Sequence, residues 1–352
     1  MKDQSRLSRR QFLDRSIVAA GAAALPKAAL AAADSASGPA AAGATVPGMK
    51  VGLYSITYLG IWYRGQALTL EEVIGRAGKY GYDGIEIDGK RPHGNPLDMP
   101  LERCRKLRAM ADAEGIDLYS VAANNDFSSP IPEARECQVA YVRELVRMAA
   151  DLRVRLMRVF LAWPGVTRHP QLARYDIARG LWKTIHEPFT AEETWNWCRE
   201  GLTECARYAA DAGVTLALQN HAPVIKDHHD VLRMVQEVGS PALKVCLDAP
   251  IMPDKSPPVI QAAARAVGPL QVLSHFGGEY TRGSDGSIQG EDYYPHFINA
   301  MKAIGYQGYL SYELCHPLPV IEGQTVGIEY ADHNARLAAQ YMRGLIRSAR
   351  TE

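Results

Sequence analysis

The chain has 352 residues, 47% of them hydrophobic, and its 39 basic residues balance 39 acidic ones. That length holds one large barrel or two smaller domains, and the composition is that of a globular protein rather than a disordered or fibrous one. Six basic and two acidic residues fall within 1–33, leaving 33 against 37 in the remainder, a mildly acidic balance with no basic run that argues against nucleic acid as a partner.

Residues 1–33 read as an address. Ser8-Arg9-Arg10-Gln11-Phe12-Leu13 precedes an apolar run over 17–25, and Ala31-Ala32-Ala33 supplies a small-residue cleavage site. This pattern resembles the twin-arginine export signal, which implies the twin-arginine export machinery as a partner and a periplasmic or otherwise exported mature protein. The run is shorter than the ~20 residues of a membrane helix, so no stable membrane insertion is expected after signal removal. Residues 34–48, mostly Ala, Gly, Ser and Pro, read as a flexible linker, and the folded unit is expected over 49–350.

From Met49 a strand–helix alternation runs eight times. Strands are expected at 50–55, 84–87, 116–122, 156–160, 214–221, 244–248, 271–275 and 309–313, each apolar and β-branched enough for a buried parallel strand. The first intervening helix starts at Thr69, where Thr69 and Glu72 have capping-box spacing, and Thr190 with Glu193 repeats the signal. Others are expected over 100–114, stopped by Gly115, and over 132–152, 227–238, 257–267, 295–304 and 328–348. A long insertion at 161–189 is a candidate lid. Eight alternations over about 300 residues are the count and length of a single α/β (β/α)8 TIM barrel. A doubly wound sheet is disfavoured because neither G-x-G-x-x-G nor a P-loop occurs.

Four of these strands end on side chains that can bind metal: Gln219, Asp248, His275 and Glu313. Their separations of 29, 27 and 38 residues are each about one βαβ unit of ~30 residues, so in a barrel they converge on one mouth. Two carboxylates, an imidazole and an amide oxygen form a hard-to-borderline donor set suited to Mn²⁺, Mg²⁺, Co²⁺ or Zn²⁺. The six cysteines, Cys104, Cys137, Cys198, Cys205, Cys246 and Cys315, contain no Cys-x-x-Cys pair and read as mostly buried, inert thiols, which leaves the metal to Asp, Glu and His.

The stretches Thr-Leu-Ala-Leu-Gln-Asn-His at 215–221, Val-Cys-Leu-Asp at 245–248, Leu-Ser-His at 273–275 and Ser-Tyr-Glu-Leu-Cys at 311–315 resemble the strand ends of the xylose isomerase-like TIM-barrel superfamily, the sugar phosphate isomerase/epimerase group. The likeness covers about 49–347. It implies a divalent metal, commonly manganese, held by Glu, Asp, His and Glu from strands five to eight, with the two glutamates moving protons beside a metal-held sugar carbonyl. Asp248, His275 and Glu313 match this set, whereas Gln219 stands where the family has a glutamate and cannot accept a proton.

The function expected is therefore a divalent-metal-dependent isomerase or epimerase of an unphosphorylated sugar or keto-sugar. Two alternatives are a 3-keto-glycoside lyase that expels the aglycone by β-elimination and a non-catalytic sugar-binding barrel. The expected metal set is Gln219, Asp248, His275 and Glu313, with manganese first and Mg, Co or Zn as alternatives. Glu313 and His221 are the expected proton carriers. Glu86, His93, Trp163 and Arg158 are expected to contact substrate, with Trp163 one of several loop aromatics suited to a sugar's C–H face, alongside Tyr54, Tyr58, Trp62, Tyr63 and Trp182. A phosphate is disfavoured because the loop at 276–292 offers only Arg282 as a cation. The sequence leaves oligomeric state open.

Overall fold

The computed structural model describes residues 48–168 and 174–350, so the expected export signal and nearly all of the linker lie outside the described residues. Eight strands form a closed barrel: β1 (Lys50–Tyr54), β2 (Gly84–Asp88), β3 (Asp117–Ala122), β4 (Leu156–Val159), β5 (Thr215–Gln219), β6 (Leu243–Cys246), β7 (Gln271–Gly277) and β8 (Tyr309–Glu313). Every neighbouring pair is parallel and sequential, and β8 returns to β1 with Lys50 opposite Tyr309 and Leu53 opposite Tyr312. The fold class read from the sequence is the one observed.

The barrel is ringed by α1 (Leu70–Tyr80), α2 (Leu101–Ala113), α3 (Pro132–Asp151), α4 (Arg174–His186), α5 (Ala191–Asp211), α6 (His228–Val238), α7 (Pro257–Val267), α8 (Tyr294–Ala303) and α9 (Ile328–Ser348). Both capping boxes form: the side chains of Thr69 and Thr190 accept from the backbones of Glu72 and Glu193, whose carboxylates accept in return. Leu70, Val73, Ile74 and Ala77 show why α1 sits where it does, since their helical spacing puts all four on the buried face. Each buried aliphatic of this kind stabilises by about 1.5–3 kcal/mol. None of the described helices is long and apolar enough to cross a membrane.

Three features depart from the sequence reading. The insertion contains a helix, α4, where no element was expected. The strand expected over 214–221 stops at Gln219, so Asn220 and His221 belong to the loop. The strand expected to end at Asp248 stops at Cys246, after a register shift at Val245/Cys246, and Asp248 instead leads into a 3₁₀ turn over Ala249–Ile251.

Inside the barrel, Tyr119, Ala217, Cys246, Leu273 and Tyr309 form a separate core, with the rings of Tyr119 and Tyr309 stacked at 3.7 Å. Gly52 makes room for it, because a Cβ there would overlap the Tyr119 hydroxyl. That hydroxyl donates to Ser311 Oγ at 2.6 Å, where the apolar floor gives way to a polar layer above.

Candidate active site

Side chains alternate along a strand, and the residue two steps beyond an inward floor residue again faces inward. Ala217 is followed by Gln219, Leu273 by His275, and Tyr309 by Ser311 and Glu313. The polar layer therefore inherits its aim from the packing beneath it. Gln219, Asp248, His275, Glu86 and Arg158 are each at most 3% exposed.

The layer is one hydrogen-bonded chain. The Arg158 guanidinium donates to Gln219 Oε1 at 3.0 Å and to the Tyr54 hydroxyl at 2.7 Å. Gln219 Nε2 donates to Asp248 Oδ2. His275 Nδ1 lies 2.9 Å from the same oxygen, and the His275 backbone N–H donates to Asp248 Oδ1 at 2.7 Å. Across the barrel, His275 Nε2 lies 2.7 Å from Glu86 Oε2, which also accepts from Ser311 Oγ at 3.0 Å. Arg158 Nε stands 3.5 Å from Glu86 Oε1. Asn220 locks the Asp248 backbone, accepting from its N–H at 2.8 Å and donating to its carbonyl at 3.1 Å.

Burial alone would raise the carboxyls of Glu86 and Asp248, but His275 beside both, with Arg158 beside Glu86, holds each below its ordinary value. Burial alone would lower His275, and the two carboxylates outweigh it and hold the imidazole well above its usual value. Glu313 differs. Burial pushes its carboxyl up, and the charges of His275 and Arg158 only partly offset this. His221 moves the opposite way, lowered to about 4, chiefly by burial. Its Nδ1 faces the Ala222 carbonyl, which favours the proton on Nδ1, and among the described residues Nε2 has no hydrogen-bond partner. Its ring stands edge-on to Trp163 and Phe160. Glu313 ends β8, paired with Gly277 two residues past His275 in β7, and His221 follows the end of β5 by two residues, so both stand at the mouth end of their strands.

Asp248, His275 and Glu313 thus gather at one rim, with His221 beside them. Arg158, expected to contact substrate, points into the barrel and spends its guanidinium on Gln219 and Tyr54. Two further expected sugar contacts are corrected. Glu86 is fully buried and committed to His275, Arg158, Ser311 and, at 3.4 Å, Ser120, so its role is to hold the cluster. His93 is turned into the protein, 1% exposed, with Nε2 2.9 Å from the Leu68 carbonyl, because the loop after β2 folds back over the chain that leads into α1. Gln219 is adjacent to the expected metal site, but its oxygen is taken by Arg158. Among the aromatics, Tyr58 serves structure through Asp332 and Trp182 through Ser128.

Three participants escaped the sequence reading. The Cys246 thiol, expected to be inert filling, lies 3.3 Å from Asp248 Oδ1 and 3.5 Å from His275 Nδ1. Tyr54, expected to face sugar, is fully buried and bonded to Arg158. Tyr175 of α4 stacks on Trp62 at 5.2 Å, meets Trp163 edge-on at 6.1 Å and donates to the Cys315 carbonyl, so α4 covers the mouth. No sequence signal links Tyr175 to a rim so distant in the chain. Beside Trp163 opens a cavity of about 410 Å³ lined by Ile61, Lys90, Asn124, Tyr141 and Arg168.

The residues present fit a divalent cation at Asp248 and His275, with Glu313 at the end of the neighbouring strand as a third donor. Ligating atoms of Cys246, Asp248 and His275 lie within 4.8 Å of one another, all buried. Metal–ligand bonds of ~2.1 Å at right angles would set neighbouring donors about 3 Å apart, close to the 2.9 Å between His275 Nδ1 and Asp248 Oδ2. Glu86 on the far nitrogen of His275 is the carboxylate partner that metal-binding histidines usually have. Glu313, half-buried at the end of β8 and beside the Cys315 thiol, has no basic hydrogen-bond partner among the described residues and stands on the strand next to His275.

Over 209 residues the chain is 25% identical to the fructoselysine 3-epimerase of Shigella flexneri, covering 57% of this chain and 66% of that protein. Over 174 residues it is 28% identical to a 2-epi-5-epi-valiolone 7-phosphate 2-epimerase of an Actinoplanes strain, covering 49% and 54%. The chain therefore spans less than two thirds of the length of these relatives. Among solved structures, it resembles the D-psicose 3-epimerase of Clostridium cellulolyticum H10 with D-tagatose (TM-score 0.64, 21% identity, 85% of this chain and 99% of that one). It also resembles the 3-keto-D-glucoside 4-epimerase of E. coli (TM-score 0.60, 17%, 84% and 99%), and at these identities both likenesses bear on the fold alone. The model of the xylose isomerase-like TIM barrel matches residues 74–343, most of the chain, and with the closed eight-stranded barrel and its polar rim it identifies this protein as a member of that family.

Proposed function

We propose that the protein is a divalent-metal-dependent epimerase or isomerase of an unphosphorylated sugar or keto-sugar, exported by the twin-arginine route and acting by proton transfer beside a ketone. The observation that carries the reading is the buried pair of Asp248 and His275, 2.9 Å apart, with Glu313 ending the neighbouring strand and His221 two residues past β5. The names of the curated relatives, all epimerases of sugars or sugar-like rings, support it.

Asp248, His275 and Glu313 would hold the cation, and a bound cation supplies Lewis acidity that makes the hydrogen beside a carbonyl more acidic. Proton movement falls to the chain. Glu313 as a ligand is ionised and would accept a proton, while His221, lowered to about 4, stays neutral with an acceptor at Nε2, so each group can take up a proton and return it. Epimerisation needs a proton removed from one face and returned to the other, and Gln219 can do neither. His221 therefore takes the part that a second glutamate plays elsewhere. The buried guanidinium of Arg158 favours negative charge developing at the mouth. Trp163 and the adjoining cavity would receive the sugar's apolar face. The buried polar layer lies beneath the Tyr175–Trp62–Trp163 cluster, and opening of that cover would admit substrate.

Gln219 also favours a second reading, since β-elimination from a 3-keto-glycoside needs a single strong base. Manganese-loaded protein incubated in D₂O with D-fructose and with a 3-keto-glucoside separates the two. Deuterium entering beside the ketone with the glycoside intact supports epimerisation, and release of the aglycone supports the lyase. Metal-loaded protein that catalyses neither, on any keto-sugar tried, would leave the non-catalytic sugar-binding barrel.

A further inference from the structure

We infer that Gln219 is a positioning residue that stands outside the metal's ligand set, its carboxamide oxygen withheld by Arg158. The inference rests on the metal centre proposed above. Gln219 is 2% exposed and meets a charged group at each end of its amide. Arg158 offers only donors, and an ionised Asp248 offers only acceptors. One orientation of the amide satisfies both: Oε1 toward Arg158 Nη1 at 3.0 Å and Nε2 toward Asp248 Oδ2. Turning the amide over to aim its oxygen at a cation beside Asp248 would set its NH₂ against the guanidinium and lose both charge-assisted hydrogen bonds.

A carboxylate in this position would have an acceptor at each end and could serve guanidinium and cation together. The carboxamide has one acceptor, and the guanidinium holds it. What Gln219 retains is orientation. With the His275 backbone N–H at 2.7 Å and the Cys246 thiol at 3.3 Å, it fixes the Asp248 carboxylate from outside. Three side chains of this protein then face the cation, leaving more of its coordination sphere to water or substrate than a four-residue site would.

The test is the visible absorption spectrum of Co²⁺-loaded protein, read beside Mn²⁺ affinity, for the wild type, Gln219→Ala, Gln219→Glu and Asp248→Ala. The Gln219→Ala spectrum should superimpose on the wild type even if affinity falls up to about tenfold through loss of an outer partner. Gln219→Glu should bind Mn²⁺ at least about tenfold more tightly and give a different Co²⁺ spectrum, as an added anionic ligand requires. Asp248→Ala should bind no metal. A Gln219→Ala spectrum that changes shape, or a Gln219→Glu spectrum identical to the wild type, overturns the inference while leaving the metal centre standing. A wild type that binds no more metal than Asp248→Ala overturns the metal centre itself, and the inference with it.

Discussion

Glu86→Gln probes the buried cluster with the least change in shape. Glu86 is fully buried and lies 2.7 Å from His275 Nε2, with Ser311 Oγ at 3.0 Å, Ser120 Oγ at 3.4 Å and Arg158 Nε at 3.5 Å. His275 and the two serines share hydrogen bonds with it and Arg158 pairs with it as a charge, and glutamine offers one acceptor oxygen where glutamate offers two. The oxygen is best kept toward His275 and Ser311, which leaves the NH₂ against Arg158 and Ser120. Removing one partner of a buried ion pair costs about 3–5 kcal/mol. The retained hydrogen bonds return about 1 kcal/mol, so the expected loss is roughly 2–4 kcal/mol. Thermal unfolding followed by circular dichroism should show Tm lowered by about 3–6 °C, and Mn²⁺ affinity should fall about 10–100-fold as His275 loses its orienting partner. Ser120→Ala, which removes only a long hydrogen bond to Glu86, is the control and should cost under about 1 kcal/mol. A Glu86→Gln protein with unchanged Tm and metal affinity would refute the role given to this carboxylate.

Gly52→Ala should destabilise the barrel by about 2–4 kcal/mol, measured as a lowered urea midpoint, because the new methyl group displaces the Tyr119 ring from its stack on Tyr309. Glu313→Gln should remove deuterium exchange by about 10²–10⁴-fold at unchanged Tm, and equal loss of folding would instead mark a structural role. Trp182→Phe deletes the 2.8 Å donation to Ser128 Oγ that helps dock α4, and limited proteolysis within 174–186 should become faster while unfolding of the barrel is unchanged.

The barrel was legible because its signals are local and repeat: a buried strand, a capped helix and a polar strand end recur at intervals of about thirty residues. The alternation that places Ala217, Leu273 and Tyr309 on the floor also places Gln219, His275 and Glu313 at the rim, so the candidate site could be read along with the fold. What escaped the sequence depends on contacts across the barrel. Glu86 and His275 are 189 residues apart, and nothing near Glu86 tells an inward carboxylate from one that greets a sugar. His93 was misplaced because the return of its loop to Leu68 is a packing event without a sequence motif. The insertion helix α4 exposes Leu181 and Ile185, which blurs the apolar periodicity that revealed the other helices. The end to which Gln219 turns its oxygen became readable only once Arg158 and Asp248 stood on either side of it.

Metal analysis of purified, manganese-loaded protein tests the central claim most directly. A stoichiometric divalent ion in the wild type, lost in both Asp248→Ala and His275→Ala while the fold is retained, is the predicted result. A wild type that takes up no ion, or variants that hold it as firmly as the wild type, would contradict the account.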